Sequence, residues 1–181
     1  MVSETTIFIT RRVPKFLADI AVAGAHGRRA QQAVSCGDGG SPSGAAALAV
    51  ATLDPDCNLL ILIAGGRDAN FDYKPLAEAL KKSKHAATAI LFGENKELIR
   101  KQLTGTVINL ETADTLASAV KMASAAAKQF MLEKDNEAKA IGKPAKPLTV
   151  VVVFSPASKS FDMFTNLYER GKTFKKLVNR L

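Results

Sequence analysis

Residues 149–181, TVVVVFSPASKSFDMFTNLYERGKTFKKLVNRL, run from an unbroken apolar strand through a short serine-bearing loop into an amphipathic helix. A strand without polar alternation is buried on both faces, as happens in a parallel sheet covered by helices. In such α/β folds, ligands gather at the carboxyl ends of strands, where helix N-termini present unpaired backbone N–H groups to anions. The junction after Phe154 is therefore a candidate carboxylate or phosphate site. Within the helix, Phe161, Phe164, Leu167, Tyr168, Gly171, Phe174, Leu177, Val178 and Leu181 recur at three- and four-residue steps and read as one core-facing stripe. Ser160 stands where an N-cap belongs, and Asp162 lies in the first turn, where the helix dipole favours negative charge.

Outward from this unit, strand and helix signals alternate from Asn58 onward. Strands are expected over 59–64, 88–92, 106–110 and 149–154, with helices over 73–84, 94–103 and 113–132 between them. The expectation is an α/β fold: a three-layer Rossmann-like domain with a mostly parallel sheet and helices on both faces. The charged stretch KDNEAKAIGKPAKP (134–147) contains Gly142, Pro144 and Pro147 and reads as an exposed loop. Residues 1–57 form an atypical N-terminal part, in which 21–32 fits a helix only with breaks at Gly24 and Gly27, whereas 58–181 reads as the domain core.

At 181 residues, with 47% apolar and 23% charged side chains, the chain is sized for one globular domain. Its apolar runs are far shorter than the ~20 residues a bilayer span needs, so no membrane insertion is expected. The N-terminus lacks the long apolar core of a secretory signal. Cys36 and Cys57 are the two cysteines and have no CxxC spacing, which suits reduced thiols in a cytoplasmic protein. A net charge of +8 would favour a polyanion, but the basic residues are scattered from Arg11 to Arg180. Scattered charge is a solvated surface rather than a nucleic-acid footprint, so no nucleic-acid partner is expected.

The spacing of Ser155, Pro156, Ala157, Ser160, Asp162, Phe164, Asn166, Arg170, Gly171 and Phe174 resembles the pattern S-P-A-x-x-S-x-D-x-F-x-x-F-x-x-R-G-x-x-F of the Mur ligases, in particular their D-glutamate-adding members. That pattern closes the third domain, which receives the incoming amino acid. The resemblance implies that Ser160 and Phe161 line the amino-acid site, together with the residue at Leu167, where the family carries an aromatic side chain. A second match, LLILIAGGRDANFDYKPLAEAL (59–80), looks like the family strand that ends in Gly-Gly and a basic residue. The family's lysine in this loop binds the side-chain carboxylate of the amino acid. Arg67 is the nearest basic residue here, its other reading being a solvent-facing loop arginine. A third segment, CGDGGSPSG (36–44), occupies the place of the family's Asp-Ser-Lys-Ala-Thr-Asn motif, with Ser35 and Gly37 where the aspartate and lysine would stand. That departure leaves a flexible loop as the simpler reading of 36–44.

Two decoys fall away. Gly171, Lys172 and Thr173 spell the end of a P-loop, but Asn166 replaces the first glycine, and a helix rather than a strand precedes them. His26 and His85 are too isolated to suggest a metal pair or dyad. No self-sufficient catalytic group is visible, so the chain is expected to bind rather than react. The resemblance implies ATP and Mg²⁺ for a complete ligase but no cofactor in this chain. It also implies D-glutamate as a partner here and the UDP-muramoyl precursor as a partner of domains this chain lacks. The competing expectation is a non-catalytic Mur-ligase-like binding or assembly subunit, which the missing charges in 36–44 and a basic surface open to a polyanion would suit.

Overall fold

A computed structural model describes residues 6–13, 16–24, 57–68, 70–83, 85–107, 109–142, 148–156, 164 and 167–181; at 6–24 and at 167–168 it describes the backbone alone. The described elements are β1 (Thr6–Val13), β2 (Phe16–Gly24), β3 (Leu59–Gly65), α1 (Lys74–Lys82), β4 (Ala86–Phe92), α2 (Lys96–Leu103), β5 (Asn109–Thr112), α3 (Leu116–Ala140), β6 (Thr149–Phe154) and α4 (Leu167–Val178). They build one six-stranded sheet in the order β2-β1-β6-β3-β4-β5.

The half of the sheet made by β6, β3, β4 and β5 is parallel throughout. β3 is its centre, and all seven of its residues are buried because LLILIAG meets apolar layers on both sides. Leu60, Leu62 and Ala64 point to one face, where Leu76 and Leu80 of α1 and Ile99 and Leu103 of α2 pack against them. Leu59, Ile61 and Ile63 point to the other face, covered by Ala119, Val120, Ala123 and Ala127 of α3 and by Phe174 and Val178 of α4. The period-two alternation of a strand thus feeds two separate cores, which makes the fold an α/β sandwich of three layers. Phe154 at the end of β6 stacks on Phe174 with ring centroids 4.1 Å apart, pinning α4 to the strand that precedes it.

Three expectations are corrected in detail. β5 covers Asn109–Thr112 rather than 106–110, because its register is set by backbone pairing with Thr88–Leu91 of β4 and not by the apolar run Val107–Ile108. α3 continues to Ala140, so the reading of 134–140 as loop fails. Those charges do not break the helix; they sit on its solvent side and pair with one another, as Lys134 does with Glu137 at 2.8 Å. The helix stops at Gly142, whose φ of +64° is the left-handed conformation that ends many helices. Third, residues 21–24, expected in a broken helix, belong to β2, which forms an antiparallel hairpin with β1; β1 in turn runs antiparallel to β6. The glycine-rich stretch 36–44 lies outside the described residues.

Candidate functional site

β3 ends at Gly65 because nothing larger fits there. A Cβ on Gly65 would lie 1.7 Å from the carbonyl oxygen of Phe92 on the neighbouring β4, and φ is +135° there. Gly66 follows with φ of +150°. Just beyond this close approach, Arg67 and Asp68 are exposed at the carboxyl edge, with Arg67 in an isolated β-bridge.

β6 does not stop pairing at Phe154. The N–H of Ser155 donates to Ile63 O at 3.1 Å, and the N–H of Gly65 donates to Pro156 O at 2.8 Å. Those two bonds lock the beginning of the β6–α4 loop, Ser155–Pro156, against the Gly-Gly turn of the β3–α1 loop. The two segments singled out in the sequence therefore converge at one end of the sheet, although Gly65 and Pro156 are distant along the chain. Ser155 is itself buried. Arg170 lies one turn before Phe174 on α4, about 6 Å along the helix axis at 1.5 Å per residue, and only 5% of it is exposed. Since Phe174 covers the end of β6, this places Arg170 toward the same carboxyl edge.

Behind the Gly-Gly turn is a buried polar network. The N–H of Gly66 donates to Asn95 Oδ1 at 3.0 Å, and the N–H of Asn95 donates back to Gly66 O at 3.1 Å. Asn95 Nδ2 then donates to the Tyr73 hydroxyl at 2.6 Å. Tyr73 is fully buried, and its pKa is pushed up from 10.0 to about 12; burial is the largest cause, the Asn95 bond pulls the other way, and the negative charge of Asp68 adds to the rise. The backbone N–H of Tyr73 donates to Gln102 Oε1 at 3.0 Å, which ties the start of α1 to α2.

Of the residues expected at the site, Arg67 is exposed at the carboxyl edge beside Gly66. α4 begins at Leu167, and Phe164 before it is outside any helix, which corrects the expectation of a helix starting at Ser160 with that residue as its N-cap; the Leu167 side chain lies outside the described residues, as do Ser160 and Phe161 altogether. Asn95 and Tyr73 were missed by sequence reasoning. The signal was a polar residue two places beyond Gly93 at the end of β4, where a neighbouring strand must satisfy the backbone of a glycine turn. Gly171, Lys172 and Thr173 lie inside α4, so they form no phosphate loop. His85 is at the opposite end, with Nδ1 2.7 Å from Cys57 O. Among the described residues no group of three His, Cys, Asp or Glu side chains could hold a metal ion. No described helix is long and apolar enough to cross a membrane. A cleft of about 330 Å³ between α3 and the amino-terminal half of the sheet, lined in part by Thr88, Asn109, Gln129 and Phe130, is far from the Gly-Gly turn.

No protein-family model matches the chain. Curated relatives do. Over 124 residues, 68% of this chain, it is 39% identical to a UDP-N-acetylmuramoylalanine–D-glutamate ligase of Aquifex aeolicus, of which it covers 24%. It is 38% identical over 67% of its length to the ligase of that name from Geotalea uraniireducens, covering 22% of that protein. With the corresponding ligase of Hahella chejuensis it shares 34% identity over 76% of its length and 26% of the relative. The chain thus spans about a quarter of the length of these relatives.

Proposed function

Because this chain carries a partial Mur ligase domain, related to the UDP-N-acetylmuramoylalanine–D-glutamate ligases, we propose that it is the amino-acid-receiving third domain of such an enzyme and that its carboxyl-edge loops hold D-glutamate. The observation that carries this reading is the pair of backbone bonds, Gly65 to Pro156 and Ser155 to Ile63, that sets the loop bearing Arg67 beside the loop leading to Ser160. A dicarboxylic amino acid has one carboxylate for Ser160 and Phe161, the pair that the family resemblance implies, and a second for the guanidinium of Arg67. Leu167 would close the apolar wall. In the complete ligase, ATP with Mg²⁺ would activate the carboxylate of the UDP-muramoyl precursor on other domains. The described residues here do not fit a metal site. The contribution of this chain is proximity: it would hold the amine of glutamate in line for attack, in the cytoplasm where the precursor is made.

A second reading, a non-catalytic binding or assembly subunit, is favoured by Ser35 and Gly37 standing where the family carries charged groups. Calorimetric titration separates the two. The proposed function requires D-glutamate to bind the chain with a dissociation constant of ~1–10 mM or tighter. It also requires Arg67→Ala to weaken glutamate about tenfold while leaving D-alanine within about twofold. No binding by the unaltered chain at high millimolar glutamate would transfer the case to the assembly subunit.

A further inference from the structure

We propose that Asn95 and Tyr73 are positioning residues of this site: they latch the backbone of Gly66 and so fix the origin of Arg67, an inference that rests on the function proposed above. The latch follows from the hydrogen-bond directions. Gly66 is held twice by one residue, its N–H donating to Asn95 Oδ1 at 3.0 Å and its carbonyl accepting from the Asn95 N–H at 3.1 Å. That arrangement works only with the Asn95 oxygen toward Gly66, since a reversed amide would set an N–H donor against the Gly66 N–H. The Gly66 N–H, which can only donate, sets that orientation, and the Tyr73 hydroxyl braces the amide from behind by accepting from Asn95 Nδ2 at 2.6 Å.

Tyr73 is suited to the task because its hydroxyl can accept from Asn95 Nδ2 in a fully buried site without introducing a charge behind the turn, burial pushing its pKa further up, to about 12. Its backbone is anchored in turn by Gln102. Both latch residues are closed off from solvent, so neither can touch a ligand; whatever they do for the site passes through Gly66. A latch is needed at Gly66 because β3 ends at Gly65, and Gly66, at φ of +150°, has the freest backbone of any residue type. A charge-assisted contact made from an unfixed backbone loses the ordering entropy that a fixed one has already surrendered on folding.

The test is a double-mutant cycle read as ligand discrimination. Tyr73→Phe keeps the ring and packing; Asn95→Ala removes the amide. Each is expected to weaken D-glutamate about five- to tenfold, as for loss of one or two hydrogen bonds, and to leave D-alanine within about twofold. In an Arg67→Ala background neither change should weaken glutamate further, because the residue through which the latch acts is gone. Equal losses for both ligands, or the same loss with and without Arg67, would show a general structural role and overturn the proposal. The latch is also read without ligand, by amide hydrogen exchange of Gly66. Protection about tenfold or more above that in Tyr73→Phe or Asn95→Ala supports it, and unchanged exchange in both overturns it. Glutamate that fails to bind the unaltered chain overturns the proposed function, and the exchange result then judges the latch by itself.

Discussion

Phe174→Ala should be among the most damaging single changes in this domain. Phe174 is fully buried, stacks on Phe154 at 4.1 Å and 25°, and through Phe154 joins Phe92, 6.3 Å further into the sheet. Removing the ring forfeits the transfer energy of a buried phenyl, ~2 kcal/mol beyond that of a methyl. It also leaves a cavity of roughly 100 Å³, which at ~24 cal/mol per Å³ adds ~2 kcal/mol when the walls do not collapse. The walls are β6, β4 and α3, all held by other contacts, so little collapse is expected. The total is ~4 kcal/mol, a large part of the ~5–15 kcal/mol by which domains are stable. Urea denaturation followed by circular dichroism measures it, as a fall in midpoint at constant slope. A loss under ~1 kcal/mol would refute the reasoning, because it would mean that α4 does not seal this core.

Gly65→Ala should be as severe, since a Cβ 1.7 Å from Phe92 O at a φ of +135° demands that β3 and β4 separate; thermal unfolding within a degree or two of wild type would contradict the close approach. Tyr73 predicts a pH dependence. Its folded pKa, about 12, lies above the ordinary 10.0, so the stability it lends is complete below pH ~10 and is lost as pH rises through 12, on the order of 2 kcal/mol. The advantage of wild type over Tyr73→Phe in melting temperature should therefore shrink between pH 9 and pH 11.5, and parallel curves would contradict it. The purified chain should hydrolyse no ATP and form no amide, because Gly171–Thr173 are helix interior and form no phosphate loop; turnover with ATP and UDP-muramoyl-alanine would oppose this.

The parallel half of the sheet was readable because LLILIAG and TVVVVF have no polar alternation, and a strand buried on both faces allows none. The charged end of α3 was misread because Lys134, Glu137 and Lys139 resemble a solvated loop when their helical pairing is not seen, and Gly142 with the prolines after it suggests an early stop. β2 escaped because the alanines of FLADIAVAG favour a helix and Gly24 reads as its break, whereas its place is set by pairing with β1. At the site, the Gly-Gly turn was legible as a pattern within one segment. Its partner Asn95 was not, since it lies 29 residues from Gly66 and meets it only because β3 and β4 are neighbours. A hydrogen bond between strand ends is a property of topology, and local spacing does not encode it.

The central claim, that this domain holds a dicarboxylic amino acid at the carboxyl edge of its sheet, is tested most directly by titrating ¹⁵N-labelled protein with D-glutamate and following backbone amide shifts. The account predicts saturable shifts at Gly65, Gly66, Arg67 and Ser155, smaller ones with D-alanine, and none at Thr88, Asn109 or Gln129 around the cleft at the far end. Shifts confined to that cleft, or no shifts at tens of millimolar glutamate, would contradict it.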